Sequence, residues 1–176
     1  LNTSSVVITF DPHPRNLIGN PKEKVKLLMS LEKKIELIKS FSIDYLVILK
    51  FDMNLMNMDA EVFLKKVIIK NFNPRCIVSG INHTFGHNRS GDIKYLKKFC
   101  TVNSIALEVV EPLVDGEMII SSTNIRNLIE NGFIRRANYE LGSFYGFYAK
   151  VISGSGRGKK LQYPTANLLP VEKDQL

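Results

Sequence analysis

An α/β fold with a doubly wound parallel sheet, followed by a short antiparallel β region, is what this sequence predicts. Three observations carry that expectation. Apolar runs rich in Val and Ile recur at residues 6–10, 45–49, 76–78 and 105–110, as short buried strands do. Amphipathic stretches separate them at 30–40, 59–70 and 93–99, and alternating strands and helices build parallel sheets through crossover connections. After Leu141 the period changes. Residues 144–153 alternate aromatic or aliphatic with small or polar side chains, the pattern of an antiparallel strand. The boundary falls near Gly142, giving domains at 1–141 and 142–176.

Each element has its own warrant. Val6-Val7-Ile8-Thr9-Phe10 is a buried strand, ended by Asp11-Pro12-His13-Pro14, because proline fixes φ and removes a donor. Leu31, Ile35 and Ile38 line one side of the first long helix. Tyr45-Leu46-Val47-Ile48-Leu49 is a second buried strand. Asp59 is placed to cap a helix through Lys70 that carries Val62, Phe63, Val67 and Ile68. Cys76-Ile77-Val78 is a third strand. A polar loop with Gly80, Gly86 and Gly91 follows, then a helix and the strand at 105–110. Ser121, Ser122 or Thr123 can cap the next helix, whose apolar stripe is Ile125, Leu128 and Ile129 and whose stop is Gly132. In doubly wound sheets ligands bind at the carboxyl ends of strands. Residues 11–14, 80–92 and 121–126 all follow strands.

Composition narrows the function classes. The 176 residues carry 24 Lys and Arg against 17 Asp and Glu, a net charge of +7. That balance admits nucleic acid or phosphorylated ligands. The lysines are spread over helical faces rather than clustered, which reads as solvated surface. Cys76 and Cys100 lie far apart in apolar settings and read as buried free thiols of a cytoplasmic protein. No apolar run approaches membrane-spanning length, and no signal peptide is visible. A first residue of Leu1, with Tyr163-Pro164-Thr165-Ala166-Asn167 close to the other end, suggests a piece of a longer protein.

Two stretches suit phosphate by different designs. Ile120-Ser121-Ser122-Thr123-Asn124-Ile125-Arg126 opens a helix. A helix start offers N–H groups without intrahelical acceptors and a dipole that favours anions. Arg126 lies three residues after Thr123, one turn on along the same face, and its planar fork suits phosphate. The same residues also fit an ordinary hydroxyl cap with a solvated arginine. The second stretch is Gly154-Ser155-Gly156-Arg157-Gly158-Lys159-Lys160, where glycines permit close backbone approach to phosphate. A glycine hairpin with a basic tip is its alternative. His13 sits between two prolines, either lining a pocket or sitting incidentally in a rigid turn. His83 and His87 are four apart, but glycines surround them and no third ligand is evident.

Taken in order, these runs resemble the prokaryotic bifunctional riboflavin kinase/FAD synthetase family over nearly the whole chain. Residues 7–15 look like its TFxPHP strand and loop. Residues 27–35, 44–45 and 51–52 look like the segment that follows. Gly80-Ile81-Asn82-His83-Thr84-Phe85-Gly86 with Ser90-Gly91-Asp92 looks like its GxNFxFG…GD flavin loop. Residues 121–126 match SSTxIR, and residues 154–167 look like the opening of its kinase barrel. His83 stands where the family usually has Phe, and Gln162 where it usually has Gly.

The resemblance implies a nucleotidylyltransferase domain over 1–141, followed over 142–176 by the start of an antiparallel β-barrel riboflavin kinase domain. It implies two reactions in the parent protein, phosphorylation of riboflavin to FMN and adenylyl transfer from ATP to FMN. Ser121, Ser122, Thr123 and Arg126 would hold ATP phosphates, with Arg126 catalytic. Asn82, Phe85 and His13 would contact flavin. Gly154, Gly156 and Gly158 would approach ATP in the kinase module, where Thr165 and Asn167 would hold Mg2+. The family's HxGH run and the kinase's catalytic carboxylate are not among these residues, so the expectation is that this chain alone is inactive. Partners would be nucleotides and flavins, with neither nucleic acid nor membrane. Two rival readings remain: a related nucleotidylyltransferase with another phosphorylated acceptor, and a basic nucleic-acid-binding module. The second predicts steep salt dependence on DNA or RNA, and no aromatic-basic stripe supports it.

Overall fold

The elements begin with β1 (Val6–Asp11), α1 (Pro14–Ile18), α2 (Leu31–Lys39), β2 (Tyr45–Lys50) and α3 (Met53–Met56). A helical stretch follows as α4 (Ala60–Val62), a π-helical run (Phe63–Ile69) and α5 (Lys70–Phe72), then β3 (Cys76–Gly80). After a 3-10 turn (His87–Arg89) come α6 (Ile93–Val102), β4 (Ala106–Val110), β5 (Val114–Asp115) and β6 (Met118–Ile119). The remainder is α7 (Ser122–Glu130), α8 (Ile134–Leu141), β7 (Ala149–Ile152), α9 (Arg157–Lys160) and β8 (Asn167–Pro170). This computed structural model describes residues 3–18, 24–163, 165–172 and 174–176. The chain divides into a first unit, Leu1–Glu23 with Ile43–Ile120, and a second, Lys24–Ser42 with Ser121–Leu176.

The first unit is mixed α/β with parallel strand pairs. β1 pairs with β2 from Val6↔Tyr45 to Asp11↔Lys50. A side-chain clasp precedes that register: the Asp44 carboxylate accepts from the Ser5 N–H at 2.7 Å and from the Ser5 hydroxyl at 2.7 Å. The Asp44 N–H donates back to the same hydroxyl at 3.0 Å. At the other end Phe51 N–H donates to Asp11 C=O at 3.0 Å, and the Phe10 and Phe51 rings meet edge to face at 5.7 Å. β3 pairs with β4 in parallel from Cys76↔Ala106 to Gly80↔Val110. β5 and β6 form a small antiparallel hairpin.

The core of this unit lies around β3, α6 and β4. Leu64, Leu96, Phe99 and Cys100 are buried there, with Phe63, Ile69, Ile77, Phe85 and Leu107 packed against them. Full burial of a Leu or Phe side chain stabilises by about 1.5–3 kcal/mol, so these four residues hold the helices to the second strand pair. The Asp92 carboxylate, accepting from Tyr95 N–H at 2.8 Å, starts α6.

Two expectations need correction in this unit. The strands at 6–10 and 45–49 are only partly covered, with Ile48 40% exposed, and Val78 on β3 is 65% exposed. Among the described residues each sheet has two strands, so no strand has a neighbour on both sides. The helix at 59–70 starts where expected, but Asp59 makes no side-chain cap bond. The Ser90 hydroxyl, thirty residues on, accepts from Ala60 N–H at 3.2 Å instead.

The second unit packs α7 against α8, with Ile125 and Ala137 buried. The Ser30 hydroxyl caps α2 by accepting from Lys33 N–H at 3.2 Å. α8 ends at Gly142, which adopts the left-handed conformation at φ +64° that costs glycine nothing. β7 pairs antiparallel with β8, from Ala149↔Pro170 to Ile152↔Asn167. The strand expected over 144–153 is therefore shorter. Tyr145 N–H donates to Asn138 Oδ1 at 2.8 Å instead of to a strand, while Tyr148 C=O accepts from Val171 N–H at 2.9 Å and its hydroxyl donates to Glu36 Oε1 at 2.9 Å.

The Ser5–Asp44 clasp carries a pH signature. The Ser5 N–H, and next its hydroxyl, hold the Asp44 carboxyl below its ordinary value of 3.8. A depressed carboxyl stabilises the fold above its unfolded-state pKa and loses that contribution as pH falls through the folded value. Asp44→Ala therefore lowers Tm by a few degrees at neutral pH. The two proteins converge as pH drops below 3.8, measured by thermal melts followed by circular dichroism.

Candidate functional site

In the first unit the loop after β3 is built around Phe85. Ile81 N–H continues the ladder to Val110 C=O at 3.1 Å, and His83 N–H closes a turn on Gly80 C=O at 3.0 Å. Phe85 and Gly91 then exchange two backbone bonds, each 2.9 Å. The Phe85 ring meets Phe63 at 6.1 Å and Tyr95 at 6.4 Å between centroids. Glycine is required beside it. A methyl on Gly91 would lie 2.6 Å from Phe85 Cε2 and 2.8 Å from Ala60 Cβ, and one on Gly86 would lie 2.5 Å from Ala60 N.

Asn82, His83 and Thr84 are exposed, as are Asn88, Arg89 and Ser90 farther along the loop. The His83 and Phe85 rings are near-parallel, with centroids 5.7 Å apart and planes 18° apart. Partial burial pushes its imidazole pKa below the ordinary 6.5, so the ring is neutral at neutral pH. An amide, a neutral imidazole and a phenyl ring stacked in this way suit a planar, partly polar ligand. His13, half-buried between Pro12 and Pro14, accepts from Arg15 N–H through Nδ1 at 3.3 Å.

In the second unit the start of α7 is capped by Ser121, whose hydroxyl accepts from Asn124 N–H at 3.2 Å. Of the three hydroxyls offered by the sequence, Ser121 performs the capping, and Ser122 and Thr123 are exposed on the first turn. Arg126 is half-buried, and its Nε donates to the Lys26 C=O at 2.7 Å. Lys26 Nζ in turn pairs with Glu130 at 3.3 Å. The guanidinium is thus held beside a helix start with the polarity that favours anions.

The glycine-rich stretch of the same unit lines a cavity of about 490 Å³ formed by residues 151–158 and 165–167. Asn167 lies directly over Gly154, and a methyl on Gly158 would meet the Tyr163 carbonyl and lie 3.0 Å from Thr165 Oγ1. These two glycines are therefore small because the chain itself fills the space. Gly156 differs, with φ +69° and nothing within 4 Å of where a Cβ would stand. Thr165 and Asn167 are brought to the same cavity as all three glycines. Among the described residues no group of three or more His, Cys, Asp or Glu forms a metal cluster, and no helix is long and apolar enough to cross a membrane.

Two features escape the sequence. The stacking of His83 on Phe85 has a weak signal, a ring two positions before another in a glycine-bounded loop. The Lys26 carbonyl that holds Arg126 has none, since the partners are a hundred residues apart.

Comparison with known proteins is consistent along the chain. The sequence model of FAD synthetase matches residues 1–124, and that of riboflavin kinase matches residues 141–176. The chain is 34% identical over 168 residues to the bifunctional riboflavin kinase/FMN adenylyltransferase of Buchnera aphidicola subsp. Schizaphis graminum, covering 95% of this chain and 54% of that protein. With the protein of the same name from Bacillus subtilis it shares 33% identity over 168 residues, covering 92% and 51%. The chain thus spans about half the length of the curated relatives it matches. A solved structure titled as a macrolide-efflux protein from Streptococcus pneumoniae has a similar fold, with a TM-score of 0.83 and 27% identity. It is matched over 97% of this chain and 55% of that one.

The packing at Gly91 yields a direct expectation. Gly91→Ala drives a methyl into Phe85 and Ala60 and costs about 1–3 kcal/mol of stability, as overpacking does. Chemical denaturation of the two proteins checks this through a lower midpoint at unchanged slope.

Proposed function

The chain belongs to the FAD synthetase family, and on that premise we propose that it is part of a flavin-cofactor enzyme that makes FMN and then FAD. Its residues 1–141 are read as a doubly wound nucleotidylyltransferase domain that transfers an adenylyl group from ATP to FMN. Residues 142–176 are read as the opening of an antiparallel riboflavin kinase barrel, in a protein working in the cytoplasm. The observation that carries this reading is the capped start of α7, with Ser122 and Thr123 exposed and Arg126 held beside them. The two family matches, in this order, support it.

In adenylyl transfer an FMN phosphate oxygen attacks the α-phosphorus of ATP. The bond to the bridging oxygen breaks, and pyrophosphate leaves with the electron pair. The protein has little covalent work to do, so positioning and charge stabilisation supply the rate. The α7 N–H groups, the hydroxyls of Ser121, Ser122 and Thr123, and the Arg126 fork would bind the β- and γ-phosphates and stabilise charge on the leaving group. To bind bidentately, Arg126 would exchange its bond to the Lys26 carbonyl for a charge-assisted one to phosphate.

In the first unit the flavin would lie against the loop of Asn82 and Phe85, with His13 lining the pocket. The Asn82 amide can both donate to and accept from the polar ring edge. In the second unit Gly154, Gly156 and Gly158 would border the ATP of the kinase reaction. Thr165 and Asn167 carry oxygen donors in that cavity, which fits Mg2+. The ion would neutralise phosphate charge while these residues orient it.

Titration of FMN into the chain should give saturable fluorescence quenching that FAD reverses by competition. Arg126→Ala should weaken ATP binding by roughly tenfold to a hundredfold, as loss of a charge-assisted bond does, and leave FMN quenching unchanged. Isothermal calorimetry with ATP, on protein whose far-ultraviolet circular dichroism matches the wild type, reads this out. Unchanged ATP affinity would remove Arg126 from the phosphate site. Absence of saturable FMN quenching would overturn the flavin reading.

A further inference from the structure

We propose that the stretch before α2 couples the two family-matched parts of the chain. Its pairing with residues 174–176 keeps Arg126 tied to Lys26, so that this pairing and ATP binding at α7 oppose each other. The inference rests on the reading of Arg126 as a phosphate ligand and names a restraint on that same site. All the residues concerned belong to the second unit. Residues 24–27 come from the part matched by FAD synthetase, and residues 174–176 from the part matched by riboflavin kinase.

A single peptide group lies at the centre of this coupling. Leu27 forms a parallel bridge with Gln175. In it, Leu27 N–H donates to Asp174 C=O at 2.7 Å, and Leu176 N–H donates to Leu27 C=O at 2.9 Å. The Lys26 carbonyl shares a peptide plane with Leu27 N–H, and a trans peptide points the two in opposite directions. While Asp174 engages one side of this peptide, the other side accepts from Arg126 Nε at 2.7 Å. Arg126, the 26–27 peptide and Asp174 thus form a continuous hydrogen-bond chain. Bonds in such a chain polarise and strengthen one another, so the docked segment makes Lys26 C=O a better acceptor for Arg126. Further contacts hold the same arrangement. Gln175 Nε2 donates to Gly146 C=O at 3.0 Å, and Lys24 Nζ pairs with Asp174 at 3.5 Å. Lys26 Nζ, paired with Glu130 at 3.3 Å, keeps the stretch along α7. A phosphate that draws Arg126 off Lys26 breaks this chain, and the coupling is reciprocal: whatever loosens the docked segment frees Arg126.

The test measures ATP binding by isothermal calorimetry on the 176-residue chain and on its Leu176→Pro variant, which lacks the N–H that donates to Leu27. With one hydrogen bond of ordinary strength removed from the restraint, Leu176→Pro binds ATP about twofold to tenfold more tightly. In an Arg126→Ala background Leu176→Pro has no further effect. In the unaltered chain, saturating ATP speeds amide exchange at Leu27 and Leu176, as reciprocity requires. Unchanged or weaker ATP binding by Leu176→Pro overturns the proposal, as does a tightening that persists without Arg126. Exchange at those two amides that stays the same or slows with ATP also overturns it. If the unaltered chain binds no ATP, or Arg126→Ala binds it equally well, the phosphate reading itself fails, a result distinct from the others.

Discussion

The seating of Phe85 on the core of the first unit is the constraint on which the loop after β3 depends. The ring fills the space between Phe63 and Tyr95, and Gly91 and Gly86 lack side chains because Phe85, Ser90 and Ala60 occupy that space. The Ser90 hydroxyl caps α4 through Ala60 N–H, so one loop closes the helix start and anchors the aromatic ring. A glycine-bounded loop would ordinarily be mobile. Here Gly86 and Gly91 pack closely against Ala60, Ser90 and Phe85, and Asn82 and His83 are exposed.

The glycines of the second unit follow the same logic more than the sequence suggests. Read from the chain, Gly154, Gly156 and Gly158 permit a phosphate to approach. In the fold, Asn167 and Thr165 crowd the first and the last. Two glycines thus allow the strand after the loop to close over it, and Gly156 is the open position. The helix start at α7 uses a different device, a hydroxyl cap and a tethered arginine. Under the phosphate proposal the first would act through the open position at Gly156 and the second through charge.

What was legible in the sequence was local. Ser30, Asp92 and Ser121 sit at helix starts and bond the N–H three residues on, so their caps can be read from spacing alone. The four Val- and Ile-rich runs are strands for equally local reasons. The failures involve partners distant in sequence. Asp59 has the right residue type for a cap but makes no cap bond, and Ser90 from thirty residues on accepts from Ala60 N–H. Residues 144–148 alternate like a strand, yet Tyr145 gives its N–H to the Asn138 side chain. The π-helical run at Phe63–Ile69 leaves no mark in the apolar period. For the site, the residue types at 80–92 and 121–126 were legible, whereas the stack on Phe85 and the Lys26 tether required coordinates.

The Phe85-anchored loop is proposed to receive the flavin. Hydrogen–deuterium exchange with and without FMN tests it most directly, because exchange reports protection of backbone amides residue by residue. The account predicts that FMN slows exchange within residues 81–86, while α6, already buried against the core, changes little. Saturating FMN with no added protection in that loop, or with protection confined to other segments, would contradict it.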